Sequence, residues 1–267
     1  TVTWPPILYT KYGYKNFKNW LSTGKFENIT PRRDKDTLRE LTKLSVLNLM
    51  HPFQTFMMGQ KYFPVKISLK YNIPLVFYGE NEAEHGNSFK DNFAPTRDLS
   101  YFYSEDKEDN FYFGGLNVKK ILKKGIKYKN LKQYFPIMKN NLNSKSKLNV
   151  QYLGYYLNWI PQEAYYYSVK NCNFRARPFR SEGTYSKYNS IDDKIDDLHY
   201  YTTFIKFGIG RATYDVSQEI RNDHLTTKEG KMLIKKYDGE IPKIYTDEIL
   251  DYLNIKKSKF FQTLDQF

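Results

Sequence analysis

Residues 72–87 read NIPLVFYGENEAEHGN, and the fold turns on them. An apolar run from Ile73 to Tyr78 stops at Gly79, and Glu80, Glu82 and Glu84 follow at once. A short apolar run with a proline inside it and a glycine at its end is the pattern of a buried strand. Upstream, DKDTLRELTKLSVLNLM (34–50) carries leucines at helical spacing. HPFQTFMMGQKYFPVKISLKYN (51–72) continues as helix after Pro52, with a kink expected at Pro64. Further back, TVTW (1–4) reads as a β-branched strand stopped by Pro5 and Pro6, and YKNFKNWLSTG (14–24) as a helix ended by Gly24. A buried strand among helices predicts an α/β fold: a parallel sheet with helices on both faces.

Downstream, NVQYLGYY (149–156) is a second strand, and Pro161 opens a helix through QEAYYYSVK. Residues 86–148 between the strands are polar and rich in Lys and Asn, and read as an insertion with local helices, with NLNSKSKLN a flexible segment. From residue 183 the pattern is helical. NSIDDKIDDLHYYTTFIKFG has Ser190 as candidate N-cap and Gly208 as stop. ATYDVSQEIRN, TTKEGKMLIKKYDG (capped by Thr226 or Thr227) and YTDEILDYLNI follow, the last taken as the final helix. The expected organisation is an α/β core over 1–182 and a helical region over 183–267.

The chain has 267 residues, 42 Lys and Arg against 29 Asp and Glu, and a formal charge of +13. That balance would suit an anionic partner. The lysines are spread along the sequence, so the charge is expected to reflect composition, and a nucleic-acid partner is not expected. No apolar run is long enough for a membrane helix, and no membrane partner is expected. Cys172 is the one cysteine, which fits a reducing, cytoplasmic setting. His51, His85, His199 and His224 show no metal spacing, so no zinc site is expected. TVTW reads as a strand already in progress, which predicts a chain that starts inside a domain.

Ligands of open parallel sheets bind beyond the carboxyl ends of the strands, where GENEAE falls. Gly79 would let backbone approach a ligand, and the carboxylates could hold Mg²⁺, bond a sugar or steer an amine. They could equally serve the N-terminus of a helix.

Two long stretches, HPFQTFMMGQKYFPVKISLKYNIPLVFYGENEAEHGN and GTYSKYNSIDDKIDDLHYYTTFIKFGIGRATYDVSQEIRNDHLTTKEG, resemble the N-acetyl sugar amidotransferase family. The likeness runs from TVTWPPILYT to YDGEIP. It implies the adenine nucleotide alpha-hydrolase-like fold of the PP-loop ATP pyrophosphatases. It also implies a role in bacterial surface sugars, either the pseudaminic-acid type placed on flagellin or the O-antigen type of LPS. The implied reaction adenylates the oxygen of a sugar acetamido group with ATP and Mg²⁺. Ammonia from a glutaminase subunit, similar to the one in histidine biosynthesis, then displaces AMP and leaves an acetamidino group. The substrate would be a sugar or nucleotide-sugar.

On that resemblance Glu80, Asn81, Glu82 and Glu84 are the candidate catalytic residues, with Glu80 on Mg²⁺. Thr3, Trp4, Gln60, Lys61 and Gly79 are candidates for ATP; Lys61 reads equally as part of a solvated face. The chain departs from the family in lacking the SGGxDS phosphate loop, its strand and a cysteine-rich N-terminal segment. As written it is not expected to bind ATP productively. An RNA-modifying PP-loop enzyme and an inactive interaction subunit are the competing readings.

EGTYSKYNS offers Thr184, Tyr185, Ser186 and Lys187 before a helix, a polar set suited to a sugar or phosphate anion or to an ordinary loop. SIDDKIDDLH spaces Asp192 with Asp196 and Asp193 with Asp197 one turn apart. Like charges so placed call for a cation, for which Arg221 is a candidate. Lys206 and Arg211 flank two glycines in KFGIGRAT, a weak anion-site pattern. Asn158 and Trp159, just past the second strand, edge the site, with Trp159 expected to pack in the core.

Overall fold

The computed structural model describes residues 1–79, 93–138 and 148–267. Helix α1 (Lys11–Gly24) starts where the Thr10 hydroxyl accepts the Gly13 N–H and ends at left-handed Lys25. Helix α2 (Lys35–Leu49) starts where Asp34 accepts the Thr37 N–H at 2.9 Å. Helix α3 (Gln54–Tyr71) runs on through Pro64. Strand β1 (Leu75–Tyr78) follows directly.

Residues 93–138 form short elements. Strand β2 (Tyr103–Ser104) lies parallel to β5 (Ile137–Met138). Strands β3 (Tyr112–Phe113) and β4 (Leu116–Asn117) form a hairpin, followed by α4 (Val118–Lys123) and α5 (Tyr128–Leu131). The hairpin turns through Gly114 and Gly115, both at positive φ. A Cβ on Gly114 would stand 2.6 Å from Leu44 Cβ, so only glycine lets the turn reach α2.

Strand β6 (Asn149–Tyr152) pairs parallel with β1, Leu75 opposite Asn149 and Tyr78 opposite Tyr152. Helix α6 (Pro161–Cys172) follows, with Pro161 in its first turn. The chain closes with α7 (Asp196–Phe207), α8 (Arg211–Arg221), α9 (Thr227–Tyr237), α10 (Thr246–Leu253) and α11 (Lys257–Leu264). This is a mixed α/β chain whose described sheets are strand pairs.

Four expectations change. TVTW forms no strand, only an isolated bridge from Val2 to Ile29. Strand β1 is not buried on both faces: Ile73, Leu75 and Phe77 are exposed, because the described sheet is two strands wide. Only Tyr78 turns fully inward, stacking 5.3 Å from the Tyr152 ring. The helix expected from Ser190 starts instead at Asp196. Asp193 accepts the backbone N–H groups of Ile7, Leu8 and Ile195, which pins this stretch to the N-terminal segment before the helix can begin. Helix α11 lies beyond the last helix expected.

Three apolar clusters hold these elements. The first joins Ile7, Leu38, Val46, Met50 and Phe53 to Ile195, Leu198, Ile249, Leu253 and Phe260, so the C-terminal helices close onto α2. The second packs Trp4 and Leu41 against Phe113, Ile121, Leu131 and Phe135. The third lies under β1 and β6, around Val65, Phe102 and Val150. Among the described residues no helix is long and apolar enough to cross a membrane.

Candidate functional site

The parallel pair β1–β6 opens at its carboxyl end into a cleft of about 940 Å³. Gly79 continues β1 to one wall, and a Cβ there would touch none of the described residues within 4 Å. The chain leaving β6 turns through Leu153–Tyr155 and supplies Leu157, Asn158 and Trp159. Pro161 then starts α6, which adds Glu163, Tyr167 and Ser168, and Asp192 closes the far side. Trp159 is 50% and Tyr167 67% exposed. Trp159 is therefore a lining residue, not the core residue expected. Exposed rings beside a carboxylate, an amide and a hydroxyl suit a ligand with one apolar and one polar face.

Behind Asp192 lies a buried polar network. Asp196 is half-buried, and its carboxyl hydrogen-bonds that of Asp192. Burial, then the Asp192 and Asp193 charges, hold Asp196 well above the usual carboxylate range, so the proton stays on it. Asp197 pairs with Arg177 at 3.2 Å, with both side chains almost wholly buried. Burial pushes Asp197 up to about 6 against the pull of Arg177. The cation among the aspartates is thus Arg177 and not Arg221. Asp215 accepts from Thr184 Oγ1 at 2.5 Å and Asn189 Nδ2 at 3.0 Å, and its carboxylate lies 3.0 Å from Arg211 Nε. Arg211 Nη1 donates to the Tyr200 hydroxyl at 2.6 Å.

The other candidates for substrate sit around this network. Thr184 and Ser186 are buried, and Ser186 Oγ accepts the N–H groups of Tyr188 and Asn189. Tyr185 is raised above the normal phenol range, first by burial and then by Asp215. Lys187 is exposed, while its carbonyl accepts the Arg177 N–H. Lys206 Nζ donates to Leu49 O at 2.8 Å and ties α7 to the end of α2. Of the whole set only Asp192 faces the cleft.

The candidates for ATP come together elsewhere. Thr3, Trp4, Gln60 and Gly79 line one groove of about 480 Å³ between the first residues and β1. Gln60 and Lys61 also line a smaller pocket of about 260 Å³ with Tyr78, Tyr101 and Tyr152. Lys61 Nζ stands 3.2 Å from the Tyr101 ring centroid. The 480 Å³ groove can take a flat base, but its described lining holds no lysine or arginine for a triphosphate. Those residues therefore do not fit ATP as a whole. Glu80, Asn81, Glu82, Glu84 and His85 lie outside the described residues, and Mg²⁺ at Glu80 with them. Among the described residues no three His, Cys, Asp or Glu side chains gather as metal ligands.

Residues not singled out in the sequence also matter here. Ala212, Asp215, Val216 and Glu219 recur at helical spacing and are all buried. Two acids on the apolar face of a helix were the signal for this network. Glu219 accepts from Gln162 Nε2 at 2.9 Å and so ties α8 to the start of α6 at the cleft.

Comparison with known proteins finds no match among curated proteins. Residues 182–267, which carry Asp192 and its network, match a family model described as LPS biosynthesis protein WbpG-like, C-terminal domain.

Proposed function

We propose that the chain handles the sugar in an ATP-dependent amidotransferase of bacterial surface-glycan biosynthesis, turning an acetamido into an acetamidino group. One observation carries this reading. Asp192, inside the segment that matches an LPS biosynthesis domain, lines the cleft at the carboxyl ends of the parallel strands. The PP-loop relationship and the choice between flagellin and O-antigen glycans belong to the same proposal.

In this reading the apolar face of a pyranose lies on Trp159 and Tyr167, and Asn158 bonds its ring hydroxyls. The acetamido carbon points at Asp192. An amine attacking that carbon must shed a proton as the new C–N bond forms, and the Asp192 carboxylate takes it. Asp196 holds its own proton and bonds Asp192, which fixes the direction of that carboxylate. ATP would supply the leaving group for the amide oxygen. The described residues do not fit its phosphates, and no step is assigned to it.

The test separates binding from turnover. Saturation-transfer NMR should show an N-acetylhexosamine nucleotide bound in the cleft. Trp159→Ala should weaken it about tenfold, the loss of one stacking contact of about 1.4 kcal/mol. With ATP, Mg²⁺ and ammonium, amidine product is followed by mass spectrometry, and Asp192→Asn should abolish whatever product wild type makes. Sugar binding untouched by Trp159→Ala would remove the cleft from the reading. Amidine formed at full rate by Asp192→Asn would remove the proton acceptor.

A further inference from the structure

A broad open groove of about 1320 Å³ runs between the start of α2, the middle of α3 and the loop either side of α5. Its charge is one-sided. Arg32, Arg33, Lys35 and Arg39 stand on one wall, and Lys66 rises from α3. Lys124, Lys127, Lys129 and Lys132 stand on the other. Three acids share the lining, and two are already engaged. Asp34 caps α2, and Asp36 pairs with Arg39 at 3.0 Å. Most of these cations are exposed and free to turn toward a ligand. Arg33 Nη1 is buried there with no hydrogen-bond partner. Lysines that look scattered in the sequence thus converge on one face. Residues 119–132 alone supply four of the lining lysines, while Ile121 and Leu131 of the same stretch are buried and fix it in place.

We propose that this groove docks the protein onto an anionic phospholipid surface. The lining holds six lysines to three arginines. A lysine ammonium is a hydrated point charge that suits mobile headgroup phosphates, whereas arginine supplies the rigid fork that reads fixed ones. Phe63 is the one aromatic in the described lining and is packed edge-on against Trp4, so unpaired bases would find no free row of stacking platforms. None of the exposed large apolar side chains belongs to the lining either, so the contact is electrostatic and without insertion. The groove and the sugar cleft share no lining residue, and docking leaves the cleft open.

Sedimentation with phosphatidylcholine vesicles, with and without phosphatidylglycerol, tests this on the full chain. Phosphatidylglycerol should raise binding about tenfold or more, and about 0.5 M salt should erase the gain. The triple variant Lys124→Glu/Lys127→Glu/Lys129→Glu should lose the gain while keeping its circular dichroism spectrum. Lys228→Glu/Lys231→Glu/Lys235→Glu, on exposed positions of α9, makes the same change in net charge and should keep it. Equal loss in both variants would reduce the effect to net charge and overturn the proposal. So would equal binding to both vesicle types, no binding to either, or tighter binding to duplex RNA that the groove variant abolishes.

Discussion

Among the described residues, Arg177 and Asp197 form the ion pair most removed from water, with side chains 0% and 4% exposed. Removing one partner strands a buried charge, which costs about 3–5 kcal/mol. Arg177→Met should lower stability in urea by that amount, and Arg177→Met/Asp197→Leu should recover much of it. A double variant no better than the single would mean that Arg177 matters for its bond to Ser190 O and not for its charge. Asp196 makes a different prediction. Its pKa in the fold lies above its unfolded value, so the native state holds a proton that the unfolded chain releases. That stabilisation is complete below the unfolded pKa near 3.8 and fades as pH rises through the folded value. Asp196→Asn, uncharged at every pH, should therefore gain on wild type as pH is raised from about 4, read as melting temperature against pH. A constant difference across that range would mean Asp196 is ionised in the fold. His199 runs the other way. Burial drops it to about 3, so it takes stability away as pH falls below about 6.5. The two aspartate pairs were visible in the sequence. Their division into a carboxyl pair, an Arg177 pair and a backbone clamp was not, because helical spacing breaks at Asp193.

At the scale of elements, α3 and the N-terminal segment meet at Gly59. A Cβ there would lie 2.0 Å from the Trp4 indole. Gly59→Ala should cost about 1–3 kcal/mol as overpacking and should shift tryptophan fluorescence. An unchanged melting curve would show that Trp4 can move aside. Helix α9 carries a complete capping box, Thr226 with Glu229. Thr226→Ala should cost about 1 kcal/mol in chemical denaturation. Helices with this kind of local signal were legible: Thr226 and Gly208 mark ends that the structure keeps. Strand β1 was legible as a strand but misread as fully buried, since an apolar run says nothing about how many strands flank it. Helix α11 was missed although Phe260, Thr263 and Leu264 sit at helical spacing and are buried. KSKFFQTL has no glycine or proline stop beyond it to draw the eye.

For the molecule as a whole, the cluster around α2 decides what can be cut. Ile249, Leu250, Leu253, Ile255, Phe260 and Leu264 supply much of its C-terminal side. A chain ending at Tyr245 should lose its near-ultraviolet dichroism and bind a hydrophobic dye, because Leu38, Val46 and Met50 would face water. A cooperative melt in that truncation would contradict a shared core. The cleft was foreshadowed by the rule that ligands sit beyond parallel strands. The basic groove was not, because its cations come from positions 32 to 132 and converge only through packing. The same shared core sets a timetable for synthesis. Ile7 and Phe53 leave the ribosome roughly 200 residues before Ile249 and Phe260, which is about 10–40 s at ordinary rates of translation. Over that interval half a core waits without its other half, and a nascent chain of this protein is a natural client for a holding chaperone.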